Sequence, residues 1–405
     1  MAALGEAALP LAGVKVVEFS HTVMGPTCGL ILADLGAEVV KIEPVDGDRT
    51  RRLKGFGSGF FGFLNRNKSC LAIDIEKPEG RAVVDRLVAQ ADVLVENFAP
   101  GTMTKRGYGP KRCAELNPRL IYCALKGFLG GPYEHRAALD EVVQMMGGLA
   151  YMTGPSGRPL RAGASVVDIM GGSFGVFGVL LKLRERERTG KGGLVESALF
   201  ESVVMLMGTH LAAGAVLKHP VPPMPERLSS WAIYEPFDTA DGVKIFLGVT
   251  SDGQWRRFVD VFGLDELKND PRLATNNDRI AARSWLLPAL ARVIERMPFD
   301  EVERKAAEAD ISYSRVARPE DLWDDPHLAA TGQLAETIMP GGEITRLPLL
   351  PFRLDGRLAG VRTHAAARIG ADSRAVLSAL GYDKATIAAL AAAGVVALGD
   401  STDVS

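Results

Sequence analysis

The chain has 405 residues, of which 47% are hydrophobic and 24% charged, and its formal net charge is −2. This composition is typical of a folded globular protein, and the length favours two domains or one large interrupted domain over a single core. A nearly balanced charge leaves no electrostatic footprint for nucleic acid or a membrane surface, so neither is expected as a partner.

The cysteines and the N-terminal stretch indicate a cytoplasmic protein. Cys28, Cys70, Cys113 and Cys123 form no CxxC pair, so no disulfide framework is expected and a reducing compartment is favoured. The stretch MAALGEAALPLAGVKVVEFS has no basic residue before its apolar run, unlike a signal peptide. The most apolar run, residues 169–181, is too short to cross a bilayer.

Short β-branched runs alternate with helical patterns in the first part of the chain. Strands are predicted at residues 14–19, 37–43, 92–97 and 120–125, with a helix near 27–36 and partly helical structure over 103–119. Strands that alternate with helices predict an α/β fold with a parallel sheet and right-handed crossovers.

Residues 161–182, RAGASVVDIMGGSFGVFGVLLK, contain one acid at the start of a long apolar run. The run predicts a helix that continues into KLRERERT and ends at Gly190. Asp168 is a favoured residue type for the N-cap, and capping alone accounts for it. Alternatively, converging backbone N–H groups hold its carboxylate ionised, as a nucleophile or base. Glycines at 171, 172, 175 and 178 would let another backbone or a ligand lie close, which capping does not explain.

The second part of the chain starts at a linker. Residues 218–227, KHPVPPMPER, contain four prolines. A strand pair that turns at Asp241-Gly242, followed by helices from about 252 to 310, predicts a small α+β domain. An extended return begins at residues 347–356, and residues 374–396 have helical periodicity.

Other motifs give weaker signals. GSGFFG, residues 57–62, fits the dinucleotide pattern GxGxxG but does not follow a strand, so we interpret it as a flexible loop and keep a nucleotide-dependent oxidoreductase as an alternative. The six histidines form no HExxH motif and no pair at ligand spacing, so no metal site is expected. In ENFAPG, residues 96–101, a strand exit offers an amide and an aromatic ring that suit an adenine or pantetheine group, and an ordinary exit from a strand into a turn explains the stretch equally well.

Taken together, the segments resemble the class III CoA-transferase family, named for its carnitine and bile-acid members, which also includes formyl-CoA transferase and α-methylacyl-CoA racemase. The matching stretches include LAGVKVVEFSHTVMGPTCGLILADLGAEVVKIE, FLNRNKSCLAIDIEKPEGR, DVLVENFAPGT, ASVVDIMGGSFGVFGVLLKLRERERTGKG and LGYDKATIAALAAAGVV. The resemblance implies an interlocked homodimer. It also implies a large Rossmann-like domain from residues 1–217 and the return 326–405, with a small α+β domain, 228–325, inserted between them.

The resemblance also implies an activity. The expected reaction moves CoA from an acyl-CoA to a small dicarboxylic acid such as mesaconate, itaconate, citramalate or malate. Several segments resemble those of transferases that use succinyl-CoA, so succinyl-CoA is the expected donor. Asp168 aligns with the family's catalytic aspartate and would form an anhydride and then an aspartyl-CoA thioester. CoA thioesters enter as substrates, and no tightly bound cofactor is expected. Oxalate is not expected, because the glycine-rich loop of oxalate-using relatives has no counterpart in VPPMPERLSSWAIY.

Carried over by position, the resemblance implies a CoA cleft lined by Val23, Met24, Ile73, Asn97, Phe98, Ala99, Lys105, Ala137 and Asp140. Two positions depart from relatives: Pro44 replaces a basic residue, and Ala137 replaces a lysine whose charge Arg136 would supply. His21, Arg49 and Arg52 are candidates for holding a second substrate carboxylate.

Two alternatives share the scaffold. A racemase of this type carries a histidine directly before the aspartate at 140, where this chain has Leu139, so exchange between two bases is not expected. A non-catalytic subunit of a heteromer is disfavoured, because Asp168 is present.

Overall fold

The chain divides into two units, one formed by residues up to 225 together with those from 326 onwards, the other by residues 226–325. A computed structural model describes residues 9–226 and 229–399. Two parts of the sequence discussed above lie outside the described residues: the first eight residues of the N-terminal stretch, and residue 228, where a domain boundary was expected.

The large unit is built on a six-stranded sheet. Its strands are β1 (Lys15–Phe19), β2 (Glu38–Glu43), β3 (Lys68–Ala72), β4 (Val93–Glu96), β5 (Ile121–Lys126) and β6 (Gly193–Ala198). They lie in the order β3-β2-β1-β4-β5-β6, and every pair is parallel. This is the strand order of doubly wound dinucleotide-binding folds, so the predicted α/β class and parallel sheet are confirmed.

Ten α-helices precede the linker in the described chain. They are α1 (Met24–Asp34), α2 (Phe60–Leu64), α3 (Pro78–Gln90), α4 (Thr102–Lys105), α5 (Pro110–Leu116), α6 (Asp140–Met146), α7 (Leu149–Thr153), α8 (Val166–Thr189), α9 (Leu199–Leu206) and α10 (Gly208–Leu217). GSGFFG forms a 3₁₀ turn that runs into α2, rather than the flexible loop expected from the sequence. Apolar side chains pack on both faces of the sheet, as a buried parallel sheet requires.

The strand order reverses between β1 and β4, and this switch point places the site. One half of the chain winds outward from β1 to β3, the other from β4 to β6. Ligands of such sheets bind beyond the carboxyl ends of the strands at the switch point. The segments that follow Phe19 and Glu96 therefore lie side by side where a substrate is expected.

Helix α8 lies against α1, β5 and β6, and its glycines are the reason it lies so close. A Cβ on Gly172 would be 2.6 Å from the backbone oxygen of Met24, and one on Gly175 would be 2.6 Å from the side chain of Leu125. Gly190, with φ +70°, ends the helix as predicted. By length and composition α8 also meets the criterion for a membrane span, a test that core helices of soluble proteins pass as well.

Replacing Gly172 by Ala is expected to destabilise the large unit by about 1–3 kcal/mol, because α1 must move away from α8. The nearest obstacle is backbone, which has no rotamer to adopt. Gly208→Ala is the matched control, since a Cβ there meets nothing within 4 Å. Urea denaturation measures both variants, and equal stabilities would contradict the close approach of the two helices.

The small unit pairs a three-stranded antiparallel sheet with helices. Its elements are β7 (Ile233–Asp238), β8 (Lys244–Val249), α11 (Asp252–Val261), α12 (Asp265–Lys268), α13 (Asn276–Ala281), α14 (Arg283–Ile294), α15 (Phe299–Glu308) and β9 (Ser312–Arg315). The turn at Asp241-Gly242 is confirmed, with Gly242 at φ +76°. Strand β9 was not predicted, because SYSR is short, polar and exposed.

The chain then returns to the large unit. It forms α16 (Pro326–Thr331), the hairpin β10 (Leu334–Ile338) and β11 (Ile344–Pro348), and the helices α17 (Ser373–Ala379) and α18 (Lys384–Ala392). Asp372 accepts a hydrogen bond from the backbone N–H of Cys70, and the Ser373 hydroxyl oxygen accepts one from the backbone N–H of Ala72, so the return is fixed to β3.

Candidate active site

Asp168 is the third residue of α8 and is half-buried. The N-cap position belongs to Ser165, so the interpretation of Asp168 as the cap is wrong. No described residue donates a hydrogen bond to its carboxyl group. Both oxygens of this acid are therefore without a hydrogen-bond partner within the described chain.

The cap of α8 comes from another helix. Asp140, the first residue of α6, accepts hydrogen bonds through one oxygen from the backbone N–H groups of Val167, at 2.9 Å, and Asp168, at 3.1 Å. Its other oxygen accepts from Gln144 at 2.5 Å. Asp140 was expected to line the CoA cleft, yet its carboxylate is fully engaged within the protein.

The ionisation of Asp168 differs from the expectation. Burial, and then the neighbouring charge of Asp140, raise its pKa to about 7, although Arg161 opposes the rise. The sequence suggested that a helix N-terminus would keep this acid ionised. That end of a helix contributes only about 0.3–1 kcal/mol, and its free N–H groups already bind Asp140. The helix end does not offset burial, which is the largest cause of the raised pKa, or the negative charge of Asp140, which occupies the donors.

A pH-rate profile tests this ionisation. Only the carboxylate form attacks a thioester, so kcat/KM should rise with pH and level off above about 7. Below the midpoint the rate is expected to fall about tenfold per pH unit. Initial rates between pH 5 and 9 measure the curve, and circular dichroism at each pH controls for unfolding. A flat profile across this range would show that Asp168 is ionised throughout.

At the switch point, Asn97 is bonded to the loop that follows β1. Its side-chain oxygen accepts from the backbone N–H of His21, and its side-chain amide donates to the backbone oxygen of His21, both at 3.0 Å. A Cβ on Gly25 would lie 2.7 Å from the Asn97 amide carbon, so glycine is required there. Asn97 thus joins the ends of β1 and β4, and one N–H of its amide is committed to this link.

The remaining predicted cleft residues divide by exposure. Phe98 is half-buried. The centre of its ring lies 5.2 Å from the centre of the His21 ring and 4.8 Å from the Arg106 guanidinium carbon. Val23, Met24 and Ile73 are buried, and Met24 lies against Gly171 of α8. Ala99, Lys105 and Ala137 are exposed. The structure therefore brings Met24 and Asp140 to α8, and Asn97 and Phe98 to His21.

A buried charge network lies beneath the loop after β1, and sequence reasoning missed it. Lys68 pairs with Glu18 at 2.8 Å and Lys41 with Asp48 at 3.1 Å. Lys41 also donates to the backbone oxygen of Ser20 at 2.7 Å. Burial alone would raise the pKa of Asp48. The positive charge of Lys41 opposes burial and helps to hold that pKa below its ordinary value.

The same network fixes a strained residue. Thr22 has φ +65°, a left-handed conformation that is costly for a β-branched residue. Its backbone N–H donates to the Thr50 hydroxyl at 3.0 Å, and that hydroxyl donates to Asp48 at 2.8 Å. Charged residues inside otherwise apolar strands, such as Glu18 in VKVVEF, were the available signal.

A second missed pair lies at the ends of β4 and β5. Lys126 forms an ion pair with Glu96 and donates to the backbone oxygen of Phe98 at 2.9 Å. Glu96 in turn accepts from the backbone N–H of Phe98 at 3.0 Å. The pair holds the NFA turn at the switch point from both sides.

The candidates for holding a second substrate carboxylate, His21, Arg49 and Arg52, are all exposed. Arg52 is exposed and pairs with Asp46 at 3.5 Å. Arg49 is exposed, as is Pro44 at the position where relatives carry a basic residue. Arg136 was expected to supply the charge of the lysine that Ala137 replaces, and its guanidinium lies 4.8 Å from the ring centre of Tyr133.

A large open cavity lies elsewhere in the large unit. It has a volume of about 1140 Å³ and is lined by Arg51, Phe61, Met339 and the segment near Val396. None of its lining residues belongs to the predicted CoA cleft. Its size alone does not make it the site, because it contains neither Asp168 nor the switch-point loops.

Comparison with known proteins decides the family. Residues 11–373 match the model described as CoA-transferase family III. The chain belongs to CoA-transferase family III. It is therefore an enzyme of the class III CoA-transferases, and the predicted family is confirmed. Family membership sets aside the alternative of an oxidoreductase built on GSGFFG.

Several proteins similar to this family III enzyme are named for their activity or family. It is 33% identical to the succinyl-CoA–D-citramalate CoA-transferase of Chloroflexus aurantiacus, over 87% of this chain and 89% of the relative. It is 31% identical to the succinate–glutarate CoA-transferase of Agrobacterium fabrum, over 84% and 89%. A CaiB/BaiF family protein of Brucella suis has a similar structure, with a TM-score of 0.82, 30% identity, and coverage of 92% of this chain and 99% of that one.

Proposed function

We propose that this family III enzyme transfers CoA from succinyl-CoA to a small dicarboxylic acid, with Asp168 as the nucleophile. The observation that carries the proposal is an acid with no internal hydrogen-bond partner among the described residues, at the start of a helix that packs on the switch-point helix α1. Relatives named for citramalate, glutarate and malate support succinyl-CoA as donor and a dicarboxylate as acceptor.

The proposed chemistry proceeds through covalent intermediates on Asp168. Its carboxylate attacks the thioester carbonyl, which forms a mixed anhydride and releases CoA thiolate. The thiolate attacks the aspartyl carbonyl, giving an aspartyl-CoA thioester and free succinate. The acceptor carboxylate then attacks this thioester, and the thiolate attacks the acceptor carbonyl of the second anhydride, which restores Asp168. Covalent relay divides one difficult exchange into easier steps.

The protein must stabilise oxyanions and exclude water during these steps. For the CoA cleft we propose Val23, Met24, Ile73, Asn97, Phe98, Ala99, Lys105 and Ala137, and Asp140 acts on it through its bonds to the first turn of α8. The reciprocal bonds of Asn97 with His21 also fix the loop that follows β1. The Phe98 ring, half-buried beside Arg106, offers a surface for stacking.

The acceptor remains a choice among small dicarboxylates. We propose citramalate, malate, mesaconate or itaconate, and the missing glycine-rich loop argues against oxalate. Relatives named for oxalate have similar identities, 33% and 31%, so identity alone does not separate the acceptors. A racemase is disfavoured because Leu139, which stands where racemases carry a histidine, is an exposed aliphatic residue.

A panel assay tests the function. Purified enzyme is incubated with succinyl-CoA and each acid separately, and new CoA esters are identified by mass spectrometry. We expect a dicarboxyl-CoA product and an equal amount of succinate. No product with any acid, together with deuterium exchange at the α-carbon of a 2-methylacyl-CoA, would replace the proposal with the racemase.

We also propose that the enzyme acts in the cytoplasm as a homodimer, interlocked as the resemblance implies. Helix α10 has no buried residue, and Leu211 and Val216 on it are 63% and 81% exposed. Phe177 on α8 and Met205 on α9 are also exposed, at 57% and 67%, and exposed large apolar side chains of this kind support an interface. Light scattering should give twice the chain mass, and Leu211→Glu with Val216→Glu should weaken the dimer. A monomeric wild type would contradict the assignment.

A further inference from the structure

Asp140 connects three segments around the proposed nucleophile. It begins α6, is 7% exposed, and binds the first turn of α8 through the backbone N–H groups of Val167 and Asp168. The fully buried Gln144, one turn later on α6, donates to Asp140 at 2.5 Å and accepts from the backbone N–H of Ala162 at 2.8 Å. Helix α6 therefore holds both the start of α8 and the segment that leads into it.

These contacts leave Asp140 no free oxygen for a substrate. One oxygen accepts two backbone N–H groups, and the other accepts the Gln144 amide, with Arg161 4.0 Å away. A buried carboxylate with three donors is a structural anchor, and Asp140 lies beside the group that it anchors.

We propose that Asp140 is a positioning residue that fixes the direction of Asp168 by binding the backbone N–H of Asp168 and that of the preceding Val167 in the first turn of α8. The inference rests on the proposed role of Asp168 as the nucleophile. The Asp168 carboxyl accepts no hydrogen bond from the described residues, so its direction depends on how this turn is held. The negative charge of Asp140 also opposes ionisation of Asp168, because like charges at short range favour the neutral acid.

The other charged groups around Asp168 are few. Arg161 favours its ionisation and is itself paired with Glu141 at 3.5 Å. On α9, Glu201 accepts from the backbone N–H of Leu129 at 3.3 Å. Helix α1 presents the side chains of Met24 and Thr27 to the glycines of α8. Asp140 is thus the acid that most directly affects Asp168.

A thermal-unfolding cycle tests this coupling without any substrate. At pH 8 the ionised Asp168 repels Asp140, so Asp168→Asn should raise the melting temperature by about 2–4 °C. In the Asp140→Asn background the gain should fall to about half. In the Glu115→Gln background, a control that removes an exposed carboxylate on α5, the gain should be unchanged. Equal gains in all three backgrounds would overturn the inference.

Kinetics give the second readout. Asp140→Asn should move the acidic limb of the kcat/KM profile down by about one pH unit. Asp140→Ala should lower kcat about 100-fold with KM for succinyl-CoA within about threefold, because the nucleophile is misplaced. If KM rises tenfold while kcat is kept, Asp140 contacts CoA instead and the inference is wrong. If the wild type transfers no CoA, the proposed function fails, and the thermal cycle still decides the coupling.

Discussion

Asp168→Ala is expected to lower CoA transfer by at least about 10³-fold while leaving the protein folded. The variant removes the atom that forms the covalent bond in every proposed step, and no described neighbour offers a replacement. Asp140 is nearby, but both of its oxygens are bonded to backbone and to Gln144. Asp140 is therefore not available as a substitute nucleophile.

The measurement needs a control that separates position from charge. Asp168→Glu keeps a carboxyl group but moves it by one methylene, so we expect activity well below wild type and above Asp168→Ala. Gel filtration and circular dichroism verify the fold of each variant. If Asp168→Ala keeps more than a small fraction of the rate, the nucleophile lies elsewhere and Asp168 is a structural acid.

The pH dependence of stability is a further consequence of the raised pKa of Asp168. The unfolded chain loses this proton near pH 4 and the folded chain near pH 7, so unfolding becomes relatively more favourable between these values. Asp168 therefore does not lower the free energy of unfolding below about pH 4, and it lowers it most above about pH 7. A functional group that destabilises its own protein at working pH is common at catalytic sites.

The sheet could be predicted from local patterns, but the connections at the site could not. The apolar runs around Val17 and Leu94 predict buried strands, and the alternation with helices predicts their parallel order. The contact of Asp140 with Asp168 spans 28 residues and depends on how α6 meets α8. Without that contact, a favoured cap residue at a helix start was the simplest explanation of Asp168.

The same limit applies to side-chain roles. Asn97 was correctly placed at the end of a strand beside the switch point, because strand ends can be identified from sequence. Its partner, the backbone of His21, follows a different strand, so the sequence did not show that the amide is already bonded. Lys126 and Glu96 were missed for the same reason, since each is an isolated charge within its own strand.

Incubation with succinyl-CoA and hydroxylamine, without an acceptor acid, should inactivate the enzyme completely. The proposed aspartyl-CoA thioester accumulates when no acceptor is present, and hydroxylamine attacks its carbonyl. This step forms an aspartyl hydroxamate and releases CoA, so the nucleophile is lost. Hydroxylamine alone, or with free succinate, should leave the activity intact, because an unactivated carboxyl group does not react.

Peptide mass spectrometry locates the modification. Cleavage after Arg161 and Lys182 yields AGASVVDIMGGSFGVFGVLLK, in which Asp168 is the single acid. Borohydride should reduce the thioester in the same peptide, and the Asp168→Ala variant should remain unmodified under both reagents. Because α8 carries no other carboxyl group in its first turns, a modified peptide identifies the nucleophile without ambiguity. An unmodified peptide with full activity would favour direct transfer between two bound substrates, and Asp168 would then serve only the structure of α8.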